Sequence, residues 1–127
     1  MLGASLGISE SMQKLEQSPD VNAKKALEYF EYSVLKYIGA YTAALGGLDT
    51  LVFTAGIGEH DASFRARISA KLLWLGVELD HTANDNAVGG NQMHKISSQN
   101  SKVVVYMIPT DEELMIAKNV VELFNLN

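Results

Sequence analysis

A short apolar run, Leu51-Val52-Phe53-Thr54, passes directly into Ala55-Gly56-Ile57-Gly58-Glu59-His60, with a helix-like stretch behind it. Strand, glycine turn and helix in that order open an α/β unit, and the turn leaves unhindered backbone N–H groups at a helix mouth. The small residues at 55, 56 and 58 hold nothing away from the main chain, so an anion or a nucleotide can approach it. The same glycines equally permit a plain, sharp strand-to-helix turn. Two phosphate motifs are excluded. A dinucleotide fingerprint needs glycine where Asp61 stands, and a P-loop needs a Gly-Lys-Ser/Thr ending that the chain lacks.

Around this unit the patterning is mixed α and β. Between Val21 and Leu45 the residues Ala26, Phe30, Val34, Tyr37, Ile38, Tyr41 and Leu45 recur mostly at three- and four-residue steps. That is the stripe of an amphipathic helix, and Gly46-Gly47 ends it. Residues 1–20 are rich in Gly, Ser and Glu and close on Ser18-Pro19-Asp20, which reads as a connector or partial element before a main lobe over 21–127. Thr50 to Thr54 is predicted as a strand buried on both faces, as in a parallel sheet. A helix follows from about Asp61 to Leu73, with Phe64, Ile68, Leu72 and Leu75 inward, closed by Trp74-Leu75-Gly76. Next come an extended piece at Val77 to Leu79, a polar stretch from Asn84 to Gln92, a strand over His94 to Ser97, a stronger one over Val103 to Ile108, and a helix from Asp111 to about Phe124. The order predicts an α/β layer with at least two parallel strands flanked by helices. Ligands gather beyond the carboxyl ends of such strands, so the loops after Thr54 and Ile108 are expected to face one crevice.

The second of those loops reads Ile108-Pro109-Thr110-Asp111-Glu112-Glu113. Thr110 and Glu113 have capping-box spacing, and acids in a first helical turn suit the helix dipole. Glu112 is left less constrained. It can be a solvated carboxylate, or it can serve magnesium, which takes one or two protein oxygens and keeps several waters. A net charge of −5 and a pI near 5.1 argue against nucleic acid or an anionic membrane as partner. With no cysteine there is neither a disulfide framework nor a cysteine-ligated zinc site. The apolar runs are too short to span a bilayer, and the chain is read as soluble and cytoplasmic. Arg65 and Arg67 fall on a polar helix face, as ion-paired or solvated residues, while His81 and His94 lie in polar connections as surface residues. Tyr29, Phe30, Tyr32, Tyr37 and Tyr41 form a wide aromatic face, read first as core and otherwise as a subunit contact.

Several linked runs resemble the C-terminal third of the acetate kinase family: Lys36-Tyr37-Ile38-Gly39-Ala40-Tyr41, Leu48-Asp49, Val52-Phe53-Thr54-Ala55-Gly56-Ile57-Gly58-Glu59, Leu75-Gly76, Leu79-Asp80 and Ile108-Pro109-Thr110-Asp111-Glu112-Glu113. The resemblance implies an actin-like, ribonuclease H-like fold and transfer of the γ-phosphoryl of ATP to a short-chain carboxylate, or from an acyl phosphate to ADP. It further implies that Gly56, Ile57, Gly58, Glu59 and His60 contact the nucleotide, that Glu112 helps hold magnesium, and that Glu59 caps the turn or orders water. His60 stands where the family usually has Asn. Near the start, Ser11 and Gln13 stand where the family has Asp and Arg beside the adenosine, so Ser11, Met12 and Gln13 would meet the nucleotide with neutral groups in place of a charged clamp.

The family's arginines, its catalytic aspartate and histidine, and its other phosphate loops belong to the part of the enzyme preceding this segment. No catalytic residue is therefore assigned, and the chain alone is expected to be inactive, to require the rest of the enzyme, and to dimerise through this lobe. The rival expectation is a non-catalytic nucleotide-binding or dimerisation module. Acetate, propionate and butyrate are not distinguished, because the acyl pocket lies elsewhere in the family.

Overall fold

The computed structural model of the chain describes Lys14 and residues 16–110. The assignments to Ser11, Met12, Gln13 and Glu112, the capping partner Glu113 and the helix expected from Asp111 onward lie outside the described residues.

Helix α1 spans Val21–Leu45, the predicted limits, because local chemistry marks both ends. The Asp20 side chain accepts from the Asn22 N–H at 2.9 Å, and Gly46 turns left-handed at φ 79 to close the last carbonyls. Its inner face differs from the predicted stripe. Ala23, Glu31 and Thr42 are buried, and Phe30, Val34, Leu35 and Ile38 pack on the core. Ala26, Tyr37, Tyr41 and Leu45 are exposed. At about 100° per residue, Ala26 and Tyr37 fall on the flank of the contacting arc. Tyr41 and Leu45 share its sector but lie past Ile38, the last residue of α1 packed on the hydrophobic core. Of the aromatic face only Phe30 joins the core; Tyr29, Tyr32, Tyr37 and Tyr41 are each at least 60% exposed, which corrects the core reading.

The sheet has the order β1-β3-β2, with β1 at Thr50–Phe53, β2 at His94–Lys95 and β3 at Val104–Met107. Strands β1 and β3 pair in parallel, Thr50 with Val104 through Phe53 with Met107, and β2 pairs antiparallel to β3. Burial of β1 on both faces does not hold: Phe53 is buried, yet Val52 is 43% exposed. The strand lies at an edge of the described sheet, and its alternating side chains find cover on one face only.

After β1 comes helix α2 (Ala55–His60), then α3 (Ala62–Ala70), capped by the Asp61 carboxylate on the Phe64 N–H at 2.8 Å. Helix α3 ends before Leu73 and tightens into a 3₁₀ turn, Leu73–Leu75, closed by left-handed Gly76 at φ 93. A side chain at 76 would also come within 2.8 Å of Lys102. Phe64, Ile68 and Leu72 are buried as expected, and Leu75 packs half-buried beside them. Phe64 meets Phe53 edge-on, with ring centroids 6.5 Å apart, and Phe30 of α1 at 5.6 Å. Val77, Ala87, Ile96, Val103, Val105 and Met107 complete the core, and full burial of each larger side chain is worth about 1.5–3 kcal/mol. The polar stretch holds an unforeseen helix, α4 (His81–Asn86), whose start is capped by Asp80 accepting from the Ala83 N–H at 3.0 Å. Among the described residues no helix is long and apolar enough to cross a membrane.

Candidate functional site

The stretch from Ala55 to His60 is not an open glycine loop but the short helix α2. Its left-handed residue is Ala55, at φ 59, and neither Gly56 nor Gly58 has a positive φ. Gly58 answers a different need. A Cβ there would lie 3.2 Å from the Phe53 carbonyl carbon, so the glycine lets α2 fold back on the strand that precedes it. Thr54 enters α2 extended and gives it no side-chain cap, which leaves the first-turn N–H groups without a hydroxyl partner.

Thr54 turns its hydroxyl elsewhere, donating to the Ile108 carbonyl at 2.6 Å, while the Ile108 N–H donates to the Phe53 carbonyl at 2.9 Å. Parallel pairing thus brings the carboxyl ends of β1 and β3 side by side, and the loops after Thr54 and Ile108 meet as expected. A link between side chains joins them at Thr110, whose hydroxyl donates to Glu59 Oε2 at 2.9 Å. Glu59 is buried, and among the described residues Thr110 is the group that hydrogen-bonds its carboxylate.

Behind α2 lies Arg65, and here the sequence reading is corrected. Arg65 is neither solvated nor ion-paired; it is fully buried at 0% exposure. Its Nε donates to Asn84 Oδ1 at 2.7 Å, Nη1 to the carbonyls of Gly58 and Glu59 at 2.8 and 3.1 Å, and Nη2 to those of Asn84 and Ala87 at 2.8 and 2.5 Å. All these acceptors are neutral. Burial pushes the guanidinium pKa down, and the charges of Asp61 and Asp85 partly oppose that. The guanidinium therefore fastens the carboxyl end of α2 to α4. Asn84 adds a bond from Nδ2 to the Ala62 carbonyl at 2.9 Å.

The polar segment after α4 also braces the turn. The Gly89 N–H donates to the Glu59 carbonyl at 3.3 Å, and the His60 ring lies so close that a Cβ on Gly89 would be 2.9 Å from its Cε1. His60 is exposed at the end of α2, Gly56 and Ile57 are half-buried, and Gly58 and Glu59 are buried. His81 is exposed and His94 half-buried, and among the described residues no group of three or more His, Cys, Asp or Glu is placed to hold a metal.

Arg67, unlike Arg65, keeps the expected ion-pair role, with Glu16 at 2.6 Å and with Glu31. Sequence reasoning missed the part played by Asn84 and the segment through Gly89. The signal available was Asp80 as a helix cap; nothing in the sequence set Asn84 apart from Asn86 and Asn91 in the same run.

The Acetokinase family matches residues 1–118 of the chain. The chain is 48% identical over 120 residues to an acetate kinase of Rhodopseudomonas palustris, covering 94% of this chain and 29% of that protein. Among solved structures, it resembles an acetate kinase from Entamoeba histolytica with a TM-score of 0.84 at 32% identity, covering 96% of this chain and 34% of that one. A propionate kinase from Francisella tularensis gives a TM-score of 0.70 at 39% identity, covering 87% and 27%. The chain spans about 29% of the length of the curated relatives it matches. These likenesses agree with the expected actin-like α/β fold.

Proposed function

The chain belongs to the acetokinase family, and on that footing we propose that it forms the nucleotide- and magnesium-handling part of an acetate kinase, in which the γ-phosphoryl of ATP passes to acetate and returns from acetyl phosphate to ADP. The observation that carries this reading is the convergence of the β1 and β3 loops, tied by Thr110 to Glu59 near the carboxyl end of α2, a helix whose first turn has no side-chain cap from Thr54. Phosphoryl transfer depends on positioning and charge neutralisation more than on covalent help from the protein, and such a crevice suits both needs.

In this reading the backbone of Gly56, Ile57 and Gly58 meets the nucleotide, with Glu59 and His60 at the rim. Ser11, Met12 and Gln13 flank the adenosine. Arg65 keeps the turn in shape from behind. A chain with a net charge of −5 repels phosphates on average, so an anion here needs local donors and a cation.

The donor chemistry suits magnesium: a carboxylate lies where the two loops meet, and the chain has no cysteine thiolate to favour a softer metal. Glu112 would hold the ion, and Glu59, already fixed through Oε2, would orient one of its waters. Bound magnesium would neutralise charge on the phosphates being transferred.

The likeness to a propionate kinase keeps that acid as a second acceptor to be tried beside acetate. Exposed tyrosines on α1, with Tyr37 and Tyr41 stacked at 6.4 Å, support a homodimer through this lobe, because phenols suit surfaces that are alternately wet and covered. The absence of cysteine is in keeping with a cytoplasmic setting.

The test is calorimetric titration of the chain with ADP, with and without magnesium. Binding that magnesium strengthens supports the reading, and Glu112→Ala should remove the magnesium dependence while leaving weak ADP binding. Dependence unchanged in that variant would remove Glu112 from the metal role. An acyl phosphate assay on the chain alone should give no product with acetate or propionate, and turnover would overturn the assignment of the catalytic groups to another part of the enzyme.

A further inference from the structure

Helix α1 outruns the core it packs on. Phe30, Val34, Leu35 and Ile38 rest on that core, and past Ile38 the helix continues to Leu45 with Thr42 its one buried residue, whose hydroxyl donates back to the Ile38 carbonyl at 2.7 Å. From Tyr37 through Leu48 the sequence carries no charge, whereas the earlier part of the helix carries Lys24, Lys25, Glu28, Glu31 and Lys36. A helical stretch without charge on any side is ordinarily covered. Yet Tyr37 is 60% exposed, Tyr41 65% and Leu45 75%. These three stand four residues apart, and the two rings stack at 6.4 Å with 26° between their planes. They form one ridge along the helix, about 12 Å long. Tyr29 and Tyr32 are as exposed but belong to another surface. They lie roughly 120° and 180° around the helix from Tyr41, on the side of Lys25 and Lys36.

We propose that the ridge of Tyr37, Tyr41 and Leu45 is the surface on which a second copy of this chain docks, α1 against α1, antiparallel about a two-fold axis at Tyr41. This deepens the homodimer reading above and rests on it. The spacing is self-complementary: reversed and laid on itself, the ridge sets Tyr41 beside the partner's Tyr41 and Tyr37 beside the partner's Leu45. Charge selects the same occupant. Each copy carries −5, so two copies repel except where no carboxylate has to approach another, and the charge-free end of α1 meets that condition. A partner recognised by opposite charge would find nothing there to hold. Covering the exposed parts of the three side chains and of Ala44 on both copies removes roughly 1,000 Å² from water, the lower bound for a specific contact. The dimer is therefore concentration-dependent.

Sedimentation velocity of the chain over a concentration series reads this association. The parent should pass from one copy to two, and Tyr41→Glu, which sets like charges face to face across the axis, should raise the dimer dissociation constant at least about a hundredfold. Tyr32→Glu, on the charged side of the helix, should leave it within about twofold of the parent. An equimolar mixture of Tyr41→Glu and Tyr41→Lys should regain the dimer that neither forms alone, because the axis brings the two copies of residue 41 together. Leu45→Glu carries the test if Tyr41→Glu does not fold by circular dichroism. Equal weakening by Tyr32→Glu would reduce the effect to added net charge and overturn the proposal, as would larger assemblies that Tyr41→Glu leaves unchanged. A dimer indifferent to Tyr41→Glu would also overturn it while leaving the homodimer reading in place. A parent that stays a single copy at every concentration would overturn both and give the ridge to the part of the enzyme beyond this chain.

Discussion

Arg65 and Arg67 stand two residues apart on α3 and live in opposite physical regimes. Arg65 is fully buried and surrounded by carbonyl and amide oxygens, so its charge is solvated by dipoles fixed in the protein. Arg67 is partly wet and bonded to two carboxylates, so its charge is balanced by charge. A buried cation without a carboxylate persists only where its donors are matched, and the partners then become dependent on it. The wet pair gains less from its attraction and loses less when broken. What distinguishes the two is therefore not how strongly each is held but what collapses when it is removed.

The sharpest way to break the comparison is Arg65→Ala. It should destabilise the fold by more than about 3 kcal/mol, because five hydrogen bonds vanish and buried carbonyls on α2 and α4 lose their donors together. Urea denaturation measures this, and a loss below about 1 kcal/mol would show that water replaces the guanidinium. Asn84→Ala comes next. It removes the acceptor of Arg65 Nε and the bond to Ala62, and should cost about 1–3 kcal/mol in the same assay.

The contrast between the arginines also explains what was legible beforehand. Local signals carried α1, whose Asp20 and Gly46 ends are written in adjacent residues, and β3, whose apolar run admits few alternatives. The meeting of the loops after Thr54 and Ile108 followed from parallel pairing alone. Arg67 was readable as an ion pair because a charge on a polar helix face has that common outcome.

Arg65 was not readable, since backbone carbonyls are present at every position and leave no trace in a sequence. The helical state of α2 was hidden for a related reason. Glycines disfavour helix by about 1 kcal/mol each relative to alanine, and what overrides them is tertiary: Arg65 on the Gly58 and Glu59 carbonyls, and Gly58 seated against Phe53. The tyrosines of α1 failed differently. Helical period gives the direction of a stripe but not the width of the surface that covers it.

Arg67→Ala should cost about 1 kcal/mol, more than a wholly exposed pair because Glu31 is left buried beside the gap. Raising sodium chloride should shrink that difference and leave the Arg65→Ala difference nearly unchanged, since salt screens the wet pair and not the buried dipoles. Equal salt responses would erase the distinction between the two flanks.

The smallest expected effect concerns Glu16, where two influences oppose each other. Its folded-state pKa lies above the ordinary 4.5, through burial first and then Asp61, although Arg67 pulls it down. The folded chain thus binds the Glu16 proton more tightly than the unfolded chain does. The stability this contributes is complete below the ordinary pKa and is lost as pH rises through the folded one. Glu16→Gln cannot titrate at this position, and comparing it with the parent cancels the other carboxylates. The parent's urea midpoint relative to the variant should therefore fall as pH rises from about 4 to about 7, with the change concentrated just above the ordinary carboxylate value. A difference that grows instead would mean that attraction to Arg67 outweighs burial and Asp61. Glu16 would then be an ordinary salt-bridge partner, and the acid-rich cluster would behave as a simple surface pair.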